Sequence, residues 1–383
     1  MKFFHLSDLH IGLKLLDRDL REDQEYIFRE IARYAKEEAP DAIVIAGDVY
    51  DKSVPPAEAY ELFDYFLNLL REAAPDAKIM MISGNHDSAI RVNTYRNVLC
   101  NQNIYMIGMP PVREEEYIEK VVLEDSFGPV NFYLLPFVKP SMVKMIVGTD
   151  DNGNNLSYNE TIRRMIEREQ VNTCERNVLV SHQFYLPEGK NPDDVERMDS
   201  EICTVGNIDQ VSAKILEVFD YAALGHIHKP ICVGNSRFRY CGTPLACSVS
   251  ESEQDKGIVV VEMGAKGNTD IRVLPLKPMR KVRILTGTLQ EVLTLACDYY
   301  VSVVLTDTKE LDVMDMHQRL TYAFPNLLNI QRKNQRGLQY KKEGREITVV
   351  DPYDLCMRLL GDLSEDEQGL LRDVINTVDE EET

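Results

Sequence analysis

The sequence contains no run of apolar residues that approaches the about 20 needed to span a bilayer. Its most apolar segments, AIVIAG at 42–47 and GIVVV at 257–261, are only as long as strands. The amino-terminal MKFFHLSDLH also lacks the apolar core of a signal peptide, because a histidine and an aspartate interrupt it. We therefore expect a chain that does not enter a membrane and that stays in the cytoplasm.

Paired cysteine motifs are missing as well. The eight cysteines include no CxxC pair, which in a chain without an export signal favours reduced thiols. Hydrophobic residues make up 44% and charged residues 28% of the chain, ordinary values for folded globular proteins. A length of 383 residues predicts two to three domains.

Basic residues are in the minority, since 43 lysines and arginines against 63 acids leave a net charge of −20. That balance alone argues against a nucleic-acid partner, because phosphate binding requires a basic surface. The charge is uneven, however: residues 278–346 contain eleven lysines and arginines and eight acids, so this segment carries +3 and the rest −23. This charge count alone does not distinguish a surface that contacts phosphates from a chance cluster of basic residues on a solvated face.

The first half of the chain alternates short apolar runs with amphipathic stretches, which indicates an α/β sheet with helical crossovers. Strands are predicted at 2–6, 42–46, 78–82, 103–107, 118–123, 130–135 and 177–181, and helices at 19–38, 57–71, 88–99 and 156–169. The polar segment 185–200 predicts a long surface loop. Four further strands near 220–224, 237–241, 257–263 and 270–275 follow without helices and predict a second, antiparallel layer.

A domain boundary is predicted where Pro275 and Pro278 bracket the change to a basic composition. The segment after it, 279–346, has the pattern of a small α+β unit, and the tail contains two apolar-rich stretches at 353–360 and 365–378. The sequence therefore predicts three parts, at 1–276, 277–346 and 347–383.

Five segments share one pattern: an apolar strand, one or two small residues, and then side chains of the kind that bind metal ions. These side chains are Asp8 with His10, Asp48, Asn85 with His86 and Asp87, His182, and His226 with His228. Because the carboxyl ends of strands form the functional crevice of an open α/β sheet, we expect them to meet there. Any one segment alone is more typical of a turn or of a hydrogen-bonded structural residue. Five together favour a functional site, because clustered buried charge is costly.

In this order, D-x-H, GD-x-x-D, GNHD, a single later histidine and GH-x-H resemble the calcineurin-like metallophosphoesterases. Within that family, FFHLSDLHIG, GDVYDKSVPP, SGNHDSAIR, ALGHIHKP and YCGTPLACSVSE are similar to the nuclease subunits of bacterial SbcCD complexes. The resemblance is strong over residues 1–250. It implies a metallophosphoesterase β-sandwich flanked by helices, followed by a small α+β capping domain and carboxyl-terminal helices.

The resemblance further implies two divalent metal ions, most simply manganese, that share Asp48 as a bridging carboxylate. The first ion would also be held by Asp8, His10 and His228, and the second by Asn85, His182 and His226. All seven are nitrogen or oxygen donors and none is sulfur, which suits manganese, iron or zinc. Two ions about 3.5–4 Å apart can stabilise both the attacking and the departing oxygen of a displacement at phosphorus.

His86 matches the family's catalytic histidine, which stabilises the transition state or protonates the leaving oxygen. Its neighbour Asp87 is expected to anchor the loop rather than bind metal. Archaeal and eukaryotic relatives carry a histidine three residues after the bridging aspartate, where this chain has Asp51. We hypothesise that Asp51 orients His86, with a position near the second metal as the alternative.

Three further segments concern partners. The helix predicted at 57–71 is apolar on more than one face, which indicates burial beneath the chain itself or, as the resemblance favours, a homodimer interface beside 88–99. The densest basic stretch of the capping unit is expected to contact DNA phosphates through Arg332, Lys333, Arg336, Lys341, Lys342 and Arg345. The tail carries a helical apolar stripe, which packs on its own domain or docks on SbcC, the coiled-coil ATPase of the family, in a heterotetramer with two copies of each subunit.

The leading interpretation is a manganese-dependent DNA nuclease. It would degrade duplex ends in the 3′-to-5′ direction and nick single strands or hairpins during DNA end processing, repair and recombination. The alternative is a small-molecule metallophosphoesterase that acts on phosphomonoesters or cyclic nucleotides, which shares the ligands but needs neither the basic unit nor the tail. A third interpretation, a non-catalytic scaffold for DNA ends and SbcC, conflicts with the intact ligand set.

Overall fold

Strands that are buried on both faces form the centre of the fold. The computed structural model describes residues 1–187, 201, 209–307 and 312–333, and within them two six-stranded sheets lie face to face. Numbered along the chain and given in spatial order, the first sheet consists of β16 (Thr269–Leu276), β15 (Lys256–Met263), β1 (Lys2–Leu6), β4 (Ala42–Ala46), β5 (Lys78–Ile82) and β6 (Ile104–Ile107). The second consists of β13 (Ile231–Val233), β14 (Asn235–Tyr240), β12 (Tyr221–Leu224), β9 (Arg176–Ser181), β8 (Gly128–Leu135) and β7 (Glu119–Asp125).

Helices cover the outer faces of both sheets. The first sheet carries α1 (Arg21–Glu38), α2 (Ala57–Ala73) and the short α3 (Ala89–Val92) and α4 (Arg96–Leu99), and the second carries α5 (Pro140–Val147) and α6 (Tyr158–Arg168). Two small strand pairs complete this part, β2 (Lys14–Leu15) with β3 (Arg18–Asp19) and β10 (Phe184–Leu186) with β11 (Gln210–Ser212). The predicted α/β class is therefore confirmed. In the part of the chain that is described, no helix is long and apolar enough to cross a membrane.

The alternation of side chains along β1 shows why the chain forms layers. Phe4 and Leu6 face the helices, whereas Phe3 enters the space between the sheets, because successive strand residues point to opposite faces. The ring of Phe3 packs edge-on against Phe132, with centroids 5.2 Å apart, and against Tyr221, at 5.6 Å. Such edge-to-face pairs add specific geometry to the burial of apolar area.

His5, from the same strand, is a structural residue. Its Nδ1 lies 2.9 Å from the Tyr221 hydroxyl and its Nε2 lies 3.2 Å from the Leu224 carbonyl oxygen. Burial lowers the pKa of His5 to about 3, so the ring is neutral at physiological pH.

Helix α2 is buried on one face by the described chain. Its inner residues Leu62, Phe63 and Phe66 pack toward the sheet and α1, and Phe66 stacks on Phe28 of α1 at 4.2 Å. The prediction of one helix over 88–99 is wrong, because the chain turns between α3 and α4, where Tyr95 adopts a left-handed φ of 65°.

The predicted second, antiparallel layer is also wrong. Strands β15 and β16 pair antiparallel with each other, but β15 joins the first sheet beside β1, whereas β12 runs parallel to both β9 and β14 in the second sheet. Periodicity identifies strands but not their partners, so the grouping of consecutive strands misled the prediction. The predicted loop at 185–200 begins within buried β10, and most of it lies outside the described residues. Helix α5 was not predicted.

A third sheet follows β16 and has its own core. It is built from β17 (Val282–Gly287), β18 (Tyr300–Leu305) and β19 (Leu327–Arg332), all parallel, with α7 (Leu289–Leu293) and α8 (Val313–Ala323) as crossovers. Asp23 of α1 ties this unit to the first sheet's helices, since its carboxylate accepts hydrogen bonds from Arg280 at 2.7 Å and from the Tyr300 hydroxyl at 2.8 Å.

The packing between the sheets yields a stability prediction. Phe3→Ala leaves a cavity between fully buried rings and should lower the free energy of unfolding by about 3–5 kcal/mol. The matched control Phe127→Ala removes a ring that is 60% exposed. It should change the free energy of unfolding by less than about 0.5 kcal/mol. Urea unfolding followed by circular dichroism measures both; equal midpoints for the two variants would contradict the layered core.

Candidate metal centre

The five strand ends singled out in the sequence converge on one edge of the two sheets. Strands β1, β4 and β5 are parallel neighbours in the first sheet, and β9 and β12 are parallel neighbours in the second. The seven side chains predicted to bind metal, which come directly after these strands, all lie in the described part of the chain: Asp8, His10, Asp48, Asn85, His182, His226 and His228. All but Asn85 are nearly inaccessible to solvent.

Asp48 lies between two groups of nitrogen donors. Its Oδ2 is 3.2 Å from His182 Nε2 and 3.8 Å from His10 Nε2. On the His182 side, Asn85 Oδ1 lies 3.0 Å from His182 Nε2 and 2.9 Å from His226 Nδ1. On the His10 side, His10 Nε2 lies 3.1 Å from His228 Nε2. The arrangement thus has two halves with Asp48 between them.

A second carboxylate, that of Asp8, lies close to both halves. Its Oδ1 accepts a hydrogen bond from the backbone N–H of His226 at 3.0 Å and lies 3.9 Å from His182 Nε2. Burial raises the pKa of Asp8, although the nearby His182 and His228 act against that shift. A divalent cation would favour its ionised form.

The backbone at these positions is unusual for residues other than glycine. Left-handed φ values occur at Asp8 (53°), His10 (43°), Asp48 (48°) and His226 (100°). Each costs on the order of 1–3 kcal/mol and persists only where neighbouring structure enforces it. Enforcement is visible here, since Asp8 N donates to the Gly47 carbonyl at 2.9 Å and His10 N donates to the Asp48 carbonyl at 3.0 Å.

Charge in the centre is concentrated on Asp48 and His182. Burial alone would lower the pKa of His182, but the charge and hydrogen bond of Asp48 and the charge of Asp8 raise it to about 9. Burial would raise the pKa of Asp48, yet the surrounding histidines, above all His182, hold it well below its usual value. For His10, burial dominates and lowers the pKa well below normal, so this ring is a neutral donor.

These side chains fit a pair of divalent cations. Carboxylate, amide and imidazole donors suit manganese, iron or zinc. The donors also fall into two close sets: His10 Nε2 lies 3.1 Å from His228 Nε2, and Asn85 Oδ1 lies within 3.0 Å of His182 Nε2 and of His226 Nδ1. His226 and His182 are likewise held side by side, with ring centroids 5.4 Å apart.

His86 lies at the edge of the same cluster. Its backbone N–H donates to Asp48 Oδ1 at 2.9 Å, and one ligand atom each of His86, His10 and Asp48 lie within 4.8 Å of one another. Its Nδ1 lies 3.1 Å from the backbone carbonyl oxygen of Asp51. A carbonyl only accepts, so in the neutral ring the proton is on Nδ1 and Nε2 is the acceptor.

Asp51 contacts His86 through its backbone. The carbonyl oxygen, and not the carboxylate, makes the contact with His86. The carboxylate instead lies 3.8 Å from His10 Nδ1, and burial raises its pKa. Side-chain identity at position 51 is thus not required for the His86 contact, which any residue could make.

Asp87 occupies the anchoring position expected of it. Its carboxylate accepts three backbone N–H groups, from Val49 at 3.0 Å, Tyr50 at 2.9 Å and Gly84 at 2.9 Å. Burial raises the pKa of Asp87 to about 6, against the effect of these hydrogen bonds. The residue joins the loops that follow β4 and β5.

Two supporting residues were missed in the sequence. The side-chain amide of Gln24 donates to the carbonyl oxygens of Leu9, at 3.2 Å, and His10, at 2.8 Å, and so holds the loop after β1. Glu251 lies 3.2 Å from His228 Nδ1, and it accepts a hydrogen bond from Lys256 at 2.6 Å. A carboxylate on the far nitrogen of a metal-binding histidine fixes its orientation. Gln24 lies in none of the segments that carry the family resemblance, and Glu251 ends the segment YCGTPLACSVSE but does not follow a strand as the predicted ligands do.

Of the six predicted DNA-contacting residues, Arg332 and Lys333 are described, at the end of β19 and just after it. The other four, Arg336, Lys341, Lys342 and Arg345, lie outside the described residues, as does the predicted partner-docking segment 347–383.

A test of the loop geometry uses Gly84, where a Cβ would collide with the Asp48 carboxylate. Gly84→Ala should displace Asp48 and weaken manganese binding by about 10–100-fold, the range typical of lost support around a metal ligand. Titration calorimetry of metal-free protein measures this. In the control Gly287→Ala the nearest atom to the new Cβ is the far end of the flexible Glu291 side chain, at 3.1 Å, and the next contacts are at 3.5 Å or more, so this variant should bind manganese as the wild type does. Unchanged binding in Gly84→Ala would exclude Asp48 from the cation site.

This chain is similar to several known proteins. A relative from Staphylococcus epidermidis (strain ATCC 12228 / FDA PCI 1200), a subunit of the nuclease SbcCD, is 29% identical over 366 residues, which cover 92% of each chain. Two solved structures are similar at low identity, each with a TM-score of 0.41. TT1561 of Thermus thermophilus is 11% identical and covers 72% of this chain and 99% of its own. GAP50, the anchor in the inner membrane complex of Plasmodium, is 13% identical, and the match covers 88% of this chain and 98% of GAP50. Residues 1–230 match the model of the calcineurin-like phosphoesterases, and the chain belongs to that family.

Proposed function

We propose that this chain is the nuclease subunit of an SbcCD-type complex and cleaves DNA phosphodiesters with two divalent metal ions. The observation that carries the proposal is the position of Asp48 between the His10 and His182 groups, in a family whose members use divalent metals. The similarity to a subunit of the nuclease SbcCD over 92% of the chain supports DNA as the substrate rather than a small phosphate ester.

Each half of the centre has a defined role in the proposal. Asp8, His10 and His228 would hold one ion, Asn85, His182 and His226 the other, and Asp48 both. When bound, the ions supply Lewis acidity and lower the pKa of water at the reacting phosphorus. Gln24 and Glu251 keep the two histidines of the first half in place. Manganese is the proposed metal, because it accepts this mixture of carboxylate and imidazole donors.

His86 is the proposed catalytic histidine. Its Nδ1–H is held by the Asp51 carbonyl, so Nε2 is the atom that exchanges a proton with the departing oxygen or stabilises the phosphate charge. The residue is also less buried than the seven proposed ligands apart from Asn85, which suits a group that must reach substrate.

The function is tested with end-labelled duplex DNA, manganese and His86→Ala. We expect a cleavage ladder with the wild type and an about 10²–10⁴-fold slower reaction with the variant, the usual effect of losing acid–base catalysis. His317→Ala, which removes an exposed histidine of α8, is the matched control and should cleave normally. Hydrolysis of phosphomonoesters or cyclic nucleotides without DNA cleavage would instead support the small-molecule alternative.

DNA and an SbcC-type ATPase are the proposed partners. Both follow from the likeness to a subunit of SbcCD, together with the basic excess of 278–346. Contacts to phosphates raise affinity without reading sequence, as an enzyme that processes DNA ends requires. Residues 347–383 are the proposed contact with the ATPase.

A homodimer through α2, α3 and α4 is also proposed. Three large apolar side chains of α3, α4 and the turn between them are exposed: Ile90 (72%), Tyr95 (75%) and Val98 (64%). Adjacent exposed apolar residues of this kind are typical of protein interfaces.

The dimer is tested by Ile90→Asp combined with Val98→Asp, which places two charges in the proposed interface and should convert the dimer to a monomer in light scattering. Met145→Asp, at an equally exposed apolar residue of α5, is the control and should leave the mass unchanged. A wild type that is monomeric at micromolar concentration would contradict the proposal.

A further inference from the structure

A cysteine lies beside the first half of the metal centre. His10, His228 and Cys247 each offer one ligand atom, and these three atoms lie within 4.8 Å of one another. All three residues are buried. The two imidazole Nε2 atoms, 3.1 Å apart, are already at the separation of two ligands on a common ion. The sulfur is therefore the third donor of a cluster rather than an isolated thiol.

The distances are close to those of a real coordination sphere. Zinc–sulfur bonds of about 2.3 Å and zinc–nitrogen bonds of about 2.0–2.1 Å place a sulfur and a nitrogen on one tetrahedral ion about 3.5–3.6 Å apart. The upper limit of 4.8 Å between the three ligand atoms therefore requires a movement of at most about 1 Å. A change of one side-chain torsion angle is sufficient for that.

Within the described part of the chain, the sulfur is held only weakly. The hydrogen bond that the structure gives it runs to the Leu245 carbonyl oxygen at 3.5 Å, a long contact from a weak donor. His228, in contrast, is fixed from behind by Glu251, so that its Nε2 is directed to His10. His228 is therefore held in place, and the thiol beside it can turn toward a shared ion by a change of its side-chain torsion angle.

We propose that Cys247 is an additional ligand of the ion held by His10 and His228, so that this half of the centre binds zinc and cobalt more tightly than its nitrogen and oxygen donors alone would. The inference rests on the proposed two-metal function and deepens it. Binding exchanges the sulfur–hydrogen bond for a sulfur–metal bond and releases the proton to solvent. Soft thiolate ligands select zinc over manganese, which oxygen-rich sites favour.

Cobalt provides the readout, because a thiolate bound to cobalt(II) gives a near-ultraviolet charge-transfer band that nitrogen and oxygen ligands do not. We expect this band when metal-free wild-type protein is titrated with cobalt, and its loss in Cys247→Ala. Cys241→Ala is the matched control: Cys241 is equally buried, and its sulfur lies 3.0 Å from Ser7 Oγ, next to Asp8. The control should keep the band.

Affinity supplies the second measurement. Cys247→Ser keeps the approximate volume of the side chain and guards against a folding defect of the alanine variant. Loss of a residue that only hydrogen-bonds to a metal ligand already lowers metal affinity by about 10-fold. Cys247→Ser should therefore weaken zinc binding by at least about 10-fold, and manganese binding by less.

The outcomes separate the two proposals. If the wild type shows the visible bands of bound cobalt but no charge-transfer band, Cys247 is not a ligand. A charge-transfer band that persists in Cys247→Ala has the same meaning. Either result would overturn the role of Cys247 and leave the two-metal function intact. Failure of the wild type to bind cobalt, zinc or manganese would overturn both.

Discussion

The structure of this centre depends on one buried carboxylate. Asp48 is almost inaccessible to solvent and yet ionised, chiefly because His182, whose pKa is raised to about 9, lies 3.2 Å away; the neutral His10 lies 3.8 Å away on the other side. An unpaired charge at this depth would cost several kcal/mol, and the close contact with His182 compensates it. Because the two histidines come from different sheets, the carboxylate also fixes how the two layers meet at this edge.

The position of Asp48 depends on loops that approach each other closely at the ends of the strands. Gly84 and Gly47 leave no side chain where a Cβ would meet Asp48 or His182, and so the loops of two sheets can approach each other closely. Asp87 then binds the loop after β4 to the loop after β5 through three backbone N–H groups. Rigid strand ends and tied loops keep the donors in place, which a catalytic metal centre requires.

The ligand set could be predicted from sequence because each donor directly follows its own strand. A strand followed by a small residue and a histidine or aspartate is a local pattern, and parallel strands end at the same edge. Gln24, Glu251 and Cys247 carry no such pattern: Glu251 lies 23 residues from the histidine that it contacts. The prediction of strand pairing was wrong for the same reason: β15 pairs with β1, which lies far away in the sequence, and no local pattern indicates that contact. Asp51 was chosen correctly as a neighbour of His86, but sequence does not reveal that a backbone oxygen makes the contact.

Helix α1 connects the metal centre to the third sheet through two adjacent residues. Asp23 is buried and receives Arg280 and Tyr300 from the unit that follows β16, while Gln24 holds the carbonyl oxygens of Leu9 and His10. A buried charge with two close partners resists separation, because removal of either partner leaves the other uncompensated. The loop that carries Asp8 and His10 is therefore supported by the same helical turn that fixes the third sheet. Since Arg332 lies at the end of β19 and Lys333 just after it, these two of the residues proposed to contact DNA phosphates belong to the sheet that this helical turn supports.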